Sequence, residues 1–248
     1  MNVKEEIREK YDKGALATKN QIKNLADLHK NISPVMRYYR MRKVQTFLAL
    51  GNFKKGSKIL DIGCNTGQYT TLLNDLGYKM FGIDLSKEAI ELAKENNKQL
   101  NLNIEYFQAD VENLNIFKEN SFDGVVSFST LRYVSNLKKA LKEIYRVTKK
   151  GGKITLDFPN KHCPWFNILK KYYGLDRHIN DHFFSTNELR NLFREVGLSE
   201  IKTRKILFTH YTFKPAFLNF YRMIDFLFEK TFFIKETAAI IVCKGIQL

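Results

Sequence analysis

The sequence predicts an α/β fold, a doubly wound and mostly parallel β-sheet with helices on both faces. Three observations lead to this prediction. Between residues 58 and 159, short apolar runs alternate with helical runs of about 10–15 residues, which is the rhythm of βαβ units. The first apolar run ends in an acid followed by two spaced glycines, as expected where a strand meets a ligand-binding turn. At 248 residues with 44% hydrophobic side chains, the chain can bury a large core.

The first half of the chain carries this alternation. Residues 2–32 are read as a polar helical segment interrupted near Gly14, and residues 35–50 as an amphipathic helix that ends at Gly51. Strands are predicted at 58–63, 79–84, 103–110, 122–129 and 153–159. Helices are predicted at 68–77 (ended by Gly77), 86–100 (with Ser86 as N-cap) and 136–150 (ended by Gly151-Gly152).

After Pro159 the alternation breaks. Residues 160–184 are irregular and aromatic, and 185–198 reads as a helix with Ser185 and Glu188 as a capping box. The remaining predicted elements are a strand at about 200–208, an aromatic, helix-like segment at 209–234 and a last strand at 236–245. We expect one domain over 1–248, with a helical cap at 1–50 and lid or substrate-pocket insertions at 160–184 and 208–233.

The loop "ILDIGCNTGQYT" (59–70) is the first candidate for a ligand site. A dinucleotide turn requires glycine where this chain has Asn65 and Gln68, and a P-loop requires a Gly-Lys-Ser/Thr that is missing here. What remains is a wider turn. Asp61 at the strand end can attract an ammonium or sulfonium charge, and the helix N-terminus after Gly67 can attract a carboxylate. An amino-acid ligand presents both groups.

The next two strand ends suit a nucleoside. Asp84 can accept hydrogen bonds from both ribose hydroxyls, and Leu85 can lie against a base. Asp110 can accept from an exocyclic amine, while the backbone N–H of Val111 can donate to a ring nitrogen. Together, the three strand ends suit an adenosine joined to an amino acid.

With these residues in place, the chain resembles the class I S-adenosylmethionine-dependent methyltransferases. The matching stretches are "ILDIGCNTG", "FGIDLS", "YFQADVENL", "FDGVVSFSTLRYV" and "LKEIYRVTKKGGKITLDFP". The resemblance covers roughly residues 56–160, and extends through 185–198 and the last strand. It implies a Rossmann-like, seven-stranded sheet with an antiparallel last strand, and S-adenosylmethionine as cofactor.

The resemblance also implies roles for matched positions. Those expected to hold the cofactor are Asp61, Gly63, Cys64, Asn65 and Gly67 at the methionine end, Asp84 at the ribose, Leu85, Asp110 and Val111 at the adenine, and Ser127 and Phe128 on the floor. The family usually has glycine at position 65, but Asn tolerates a positive φ better than other non-glycine residues. Lys150 replaces the usual proline before Gly151-Gly152. For Asp61 and Asp84, helix capping is the structural alternative.

The sequence says less about the methyl acceptor than about the cofactor. An Asn-Pro-Pro-aromatic motif for base amino groups is absent after the fourth strand, and the pattern is closest to family members that act on small molecules. The aromatic insertions favour an aromatic or lipid-like acceptor, although core packing would explain them equally. Residues 11–42 are a third contributor to the pocket, with Tyr11, Arg37, Tyr38, Tyr39 and Arg40. His162, His178 and His182 are weak candidates for a catalytic base.

Composition bounds the partners and the compartment. The net charge of +15 fits either a polyanionic partner or a lysine-rich solvated surface, so an RNA methyltransferase is an alternative. A non-catalytic cofactor-binding protein of the same fold is another. Three scattered cysteines without a CxxC pair predict no metal site and a cytoplasmic protein, and the charged first residues do not resemble a signal peptide. The charged 208–233 segment is compatible with peripheral membrane contact but not with spanning.

Overall fold

The computed structural model describes residues 3–18, 32–164 and 182–248. These residues form one seven-stranded sheet. Its strands are β1 (Lys58–Ile62), β2 (Lys79–Asp84), β3 (Glu105–Gln108), β4 (Phe122–Ser127), β5 (Thr148–Pro159), β6 (Ser199–Ile206) and β7 (Ile240–Ile246).

The strand order is β3-β2-β1-β4-β5-β7-β6. Strands β1 to β5 pair in parallel, whereas β7 runs antiparallel to both β5 and β6. The predicted doubly wound sheet with an antiparallel last strand is therefore confirmed. The order reverses between β1 and β4, and in such sheets ligands bind at the carboxyl ends of the strands beside the reversal.

Seven α-helices lie in the described ranges. They are α1 (Val3–Thr18), α2 (Pro34–Gly51), α3 (Gln68–Asp75), α4 (Lys87–Gln99), α5 (Leu137–Val147), α6 (Thr186–Glu195) and α7 (Leu218–Phe228). Alternate residues of a strand face opposite sides of a sheet. Accordingly, Leu60 and Ile62 join a core cluster with α5 and α6, whereas Ile59 joins a second cluster with α2, α3 and α4. The helices thus cover both faces.

Two predicted helix caps are confirmed. The Ser86 hydroxyl accepts a hydrogen bond from the backbone N–H of Ala89 (3.0 Å) at the start of α4. Ser185 and Glu188 form both halves of the capping box at the start of α6. Each cap satisfies backbone N–H groups that have no partner within the helix.

Some predicted boundaries are wrong. Helix α1 runs through Gly14 without a break, because a single glycine costs a helix only about 1 kcal/mol. Helix α5 ends at Val147, and Gly151-Gly152 lie inside β5, whose pairing with β4 shifts register before Gly124. The predicted 209–234 segment is helical mainly over α7, with short 3₁₀ turns at Pro215–Phe217 and Ile234–Thr237.

Of the two described helices that precede β1, only α1 lies over the cavity at the carboxyl ends of the strands. Helix α1 packs against α4, and α2 packs against β5, β6 and β7. The predicted helical residues 19–31 and most of the 160–184 segment lie outside the described residues. Among the helices that the structure describes, none combines the length and the apolar character that a bilayer crossing requires.

Candidate active site

A cavity of about 530 Å³ opens at the carboxyl ends of β1, β2 and β4, beneath α1. Pockets of about 300–1,000 Å³ are typical of small molecules and cofactors. The predicted site residues that line this cavity are Gly63, Cys64, Asn65, Asp84, Leu85, Asp110, Val111 and Phe128. Residues that follow four separate strands, β1, β2, β3 and β4, are therefore brought together around one space.

The turn after β1 is built on left-handed backbone conformations. Gly63, Asn65 and Gly67 have φ values of 71°, 50° and 86°. A side chain at Gly63 would collide with Thr130, and one at Gly67 would collide with the ring of Tyr106. Asn65 adopts its positive φ as predicted, so a third glycine is not needed here.

Asp84 connects this turn to the end of β2. Its Oδ2 accepts from the backbone N–H of Asn65, and its Oδ1 accepts from that of Ser86, both at 2.9 Å. Burial raises the pKa of Asp84, although these backbone bonds favour the charged form. Because Ser86 caps α4, Asp84 is not the helix cap that the alternative interpretation suggested.

Asp61 carries a buried oxygen that lacks a protein partner. Its Oδ2 accepts from the Thr70 hydroxyl (2.7 Å), whereas no hydrogen bond from the described residues reaches its Oδ1. Burial raises the pKa of Asp61 from 3.8 to about 7. Asp61 does not itself line the cavity, but the two residues after it, Ile62 and Gly63, do. A buried carboxylate oxygen without a partner among the described residues suits a cationic ligand group, which is what the ammonium or sulfonium of the expected cofactor provides.

Helix α1 closes the cavity on the side of β3. The Lys4 ammonium pairs with Asp110 Oδ2 (2.7 Å) and with Glu112 (2.9 Å), while Asp110 Oδ1 accepts from the Glu112 backbone N–H (2.9 Å). Asp110 is therefore already engaged by α1. Tyr11 of α1 also lines the cavity and packs edge-on against Tyr133, with ring centroids 6.0 Å apart.

The floor differs from the prediction at one residue. Ser127 is fully buried, and its hydroxyl donates to the carbonyl of Ile62 (2.9 Å), so it joins β4 to β1 rather than facing the cavity. Phe128 does line the floor, and its ring is stacked between Phe47 (4.0 Å) and Tyr69 (4.1 Å). The result is a stack of three rings at the end of β4, here called the aromatic wall, of which Phe128 and Tyr69 line the cavity and Phe47 is buried behind them.

A buried ion pair stands behind this wall, and the sequence reasoning missed it. Lys43 of α2 pairs with Asp157 of β5 at 2.5 Å and donates to the Ser129 hydroxyl at 2.6 Å. Asp157 Oδ1 in turn accepts from the Ser129 backbone N–H (2.5 Å). The Lys43 ammonium also lies 5.6 Å from the ring centre of Tyr69 and 5.7 Å from that of Phe128. Ser129 lines the cavity and contacts both members of the ion pair, so this residue connects the pair to the cavity.

Two sequence signals could have found this pair. Asp157 interrupts the apolar strand "KITLDFP", and a carboxylate inside a buried strand requires a partner. Lys43 lies four residues from both Tyr39 and Phe47, on the buried face of α2.

The predicted histidine bases that the structure describes do not line the cavity. The side chains of His162 and His182 are exposed, and neither residue is among those that line the cavity. His178 lies outside the described residues. Burial raises the pKa of the Cys64 thiol well above its usual value, consistent with a packing role rather than a nucleophilic one.

Helix α2 packs beside the ion pair against residues 208–233, which we call the late segment. Tyr39 meets Tyr211 edge-on at 5.6 Å, and Arg42 pairs with Glu229. The pKa of Tyr38 is raised by burial and by the charge of Asp225. Arg40 is largely buried, which lowers its pKa, and lies near Tyr69. Of the aromatic and basic residues predicted in 11–42, Tyr11 lines the cavity, and Tyr39 lies beside the Lys43 ammonium behind the aromatic wall.

Comparison with known proteins agrees with this arrangement. A methyltransferase-domain family model matches residues 60–156. The demethylmenaquinone methyltransferase of Oceanobacillus iheyensis is 36% identical, over 62% of this chain and 74% of the relative. That of Staphylococcus haemolyticus is 32% identical, over 61% of this chain and 72% of the relative.

Solved structures share the fold. The magnesium protoporphyrin IX methyltransferase of Synechocystis, solved with bound S-adenosylhomocysteine, superposes with a TM-score of 0.66. The match covers 98% of each chain, at 13% sequence identity. At this identity the likeness supports the architecture alone.

Proposed function

The chain belongs to the class I S-adenosylmethionine-dependent methyltransferases, and we propose that its methyl acceptor is a small, lipid-like quinol. The observation that carries this proposal is the similarity to demethylmenaquinone methyltransferases, at 32–36% identity over more than 70% of those relatives. The aromatic wall supports it, because Tyr69 and Phe128 line the cavity and offer aromatic contact to a planar ring.

The cavity residues fit the cofactor part by part. In this proposal Asp84 accepts from the ribose hydroxyls, and Leu85 and Val111 pack against the adenine. The partner-free Oδ1 of Asp61 faces the cationic methionine end, where the backbone of the 63–67 turn approaches. Asp110 binds the exocyclic amine only while sharing its carboxylate with Lys4. Helix α1 then lies over the bound cofactor and excludes water from it.

The acceptor lies, in the same proposal, between the aromatic wall and the late segment. S-Adenosylmethionine supplies, when bound, an electrophilic methyl group on a sulfonium sulfur. A quinol ring carbon gains that methyl group and loses one proton, and S-adenosylhomocysteine is left. The protein's task is to align the ring carbon with the methyl group and to keep water out. Tyr69 and Phe128 would orient the ring, and residues 1–50, 160–184 and 208–233 would complete the pocket.

Ser129 is the polar group best placed to meet a quinol hydroxyl. Its side chain is held by the Lys43 ammonium, and its backbone N–H by Asp157. A hydroxyl held by an ammonium is polarised toward donation, and it favours a quinol oxygen that carries partial negative charge. Electron density on that oxygen is shared with the ring carbon that is methylated.

A labelled-methyl assay with a panel of acceptors tests this proposal. The full chain is incubated with S-adenosylmethionine carrying a labelled methyl group and one of three acceptors: a reduced, demethylated naphthoquinone with a short isoprenoid tail, a small polar amine, or a structured RNA. We expect label in the naphthoquinone, at its ring carbon, and much slower labelling by Asp84→Ala at S-adenosylmethionine concentrations below saturation. Label in the RNA or the amine, with none in the quinol, would contradict the proposed acceptor.

A further inference from the structure

The segment that follows β6 exposes an apolar face to solvent. We define this apolar face as Phe217, Phe220, Met223, Phe226, Leu227, Phe232, Phe233 and Ile234. Phe232 and Phe233 are 70% and 80% exposed. In the rest of the described chain, the large hydrophobic side chains with comparable exposure are Leu16, Ile116 and Leu248. Eight such side chains within one short segment form a patch of the kind that marks an interaction site.

Helix α7 is oriented with its acids toward the protein. Buried Asp225 accepts from the backbone N–H groups of Phe208 (2.6 Å) and Thr209 (3.1 Å). One turn later, Glu229 accepts from the N–H of Leu207 (3.0 Å) and pairs with Arg42. These bonds fix the rotation of α7, so the aromatic residues remain outside. The exposure is therefore set by specific inward contacts on the opposite side of the helix.

The charges around the apolar face are basic. Lys214, Arg222 and Lys230 lie on or beside α7 and are exposed, and Lys235 follows close behind. The Lys230 ammonium lies 3.7 Å from the ring centre of Phe226, and that of Lys235 lies 4.9 Å from the ring centre of Phe232. Asp225 of α7 and Glu229, the residue after the helix, point inward, whereas Glu236 is exposed and pairs with Lys205. The outer surface thus combines aromatic rings with adjacent cations.

We propose that the apolar face docks the enzyme on the surface of an anionic lipid bilayer. Aromatic rings insert favourably at the level of the lipid headgroups, and each nearby lysine or arginine adds about 1 kcal/mol of attraction to an anionic surface. A protein partner would more often meet a rim of mixed charge, whereas here the exposed charged residues on and beside α7 (Lys214, Arg222 and Lys230) are basic and the exposed acid Glu236 is paired with Lys205. This proposal is independent of the proposed quinol acceptor, because it is argued only from the apolar face and the charges beside it.

This docking would also orient the acceptor pocket. Helix α7 is tied to α2 through the Arg42–Glu229 pair, and Tyr39 of α2 contacts Tyr211 just before α7. Tyr39 in turn lies 5.8 Å from the Lys43 ammonium beside the aromatic wall. Contact with lipid at α7 is therefore linked through packed side chains to the wall of the cavity.

Vesicle sedimentation tests the proposal. The full chain is mixed with vesicles of phosphatidylcholine alone, or of phosphatidylcholine with phosphatidylglycerol, at low and moderate salt. We expect binding to the anionic vesicles that weakens with salt. Phe232→Ser/Phe233→Ser should weaken this binding about tenfold or more, because two of the most exposed rings are lost. Lys230→Glu/Lys235→Glu should abolish the preference for phosphatidylglycerol.

The matched control is Ile116→Ser/Lys118→Glu, which removes an exposed apolar and an exposed basic side chain on the loop after β3. It should bind vesicles as the wild type does, and circular dichroism should show that all variants are folded. Failure of the wild type to sediment with anionic vesicles would overturn the proposal. An equal loss of binding in the control would overturn it as well. A third contrary result would be a wild type that does not bind vesicles but forms a dimer in size-exclusion chromatography, with the dimer lost in Phe232→Ser/Phe233→Ser.

Discussion

The buried carboxylate of Asp61 predicts opposite effects of one substitution on stability and on cofactor binding. Asp61→Asn removes a charge whose Oδ1 has no partner among the described residues, and it keeps an oxygen that can accept from Thr70. We expect the variant to be more stable than the wild type without ligand. We also expect it to bind S-adenosylmethionine more weakly, because the cationic methionine end loses its counter-charge.

The size of the stability effect follows from the pKa of Asp61, which burial raises from 3.8 to about 7. Between these values the folded state keeps a proton that the unfolded state has released, so the stability of the wild type falls as pH rises. Each pH unit within this window corresponds to about 1.4 kcal/mol. The advantage of Asp61→Asn should therefore grow by about 2 to 3 kcal/mol from pH 5 to pH 7, and level off above about pH 8.

Urea unfolding followed by circular dichroism at several pH values measures this difference. Asp75→Asn, which removes an exposed carboxylate from α3, controls for the loss of one negative charge. A stability difference between Asp61→Asn and the wild type that does not change with pH would refute the reasoning. Calorimetry adds a second readout. Wild-type affinity for S-adenosylmethionine should rise from pH 6 to pH 8, whereas that of Asp61→Asn should stay level.

Two further predictions concern stability. Lys43→Met should lower the free energy of unfolding by about 3–5 kcal/mol, because it leaves Asp157 buried without its partner. Chemical denaturation should show most of this loss recovered in Lys43→Met/Asp157→Leu, and an equal loss in both variants would show that the ion pair is not the cause. Gly67→Ala should destabilise the protein by about 1 kcal/mol or more, because its φ of 86° strains any side chain. In contrast, Asn65→Gly should have a free energy of unfolding within about 1 kcal/mol of the wild type. Thermal unfolding measures both variants, and an equal loss of stability in the two would contradict this account of the turn.

The sequence was sufficient for most of the fold, because local signals and tertiary structure agree there. The alternating apolar runs predicted the strands, and Ser86 and Ser185 marked helix starts that the structure confirms. The boundary at Gly151-Gly152 failed because β5 begins at Thr148 and absorbs both glycines in a shifted register. Glycine usually ends a helix, but only the neighbouring strand could show that the chain had already become extended.

The site was predictable only where it is encoded in consecutive residues. The turn from Gly63 to Gly67 and the strand-end acid Asp84 could be recognised within short stretches of sequence. The Lys43–Asp157 pair could not, because its partners are far apart in the chain and meet only when α2 packs on β5. The position of α1 over the cavity, with Lys4 on Asp110, is likewise a tertiary fact.

The most direct test of the central claim is calorimetric titration of the full chain with S-adenosylmethionine and S-adenosylhomocysteine, with Asp84→Ala alongside. The cavity beneath α1 should bind one molecule of either compound, and Asp84→Ala should weaken binding of both about tenfold or more, since the bonds to the ribose are common to them. Absence of binding by the wild type at millimolar concentration, or unchanged affinity in Asp84→Ala, would contradict the account.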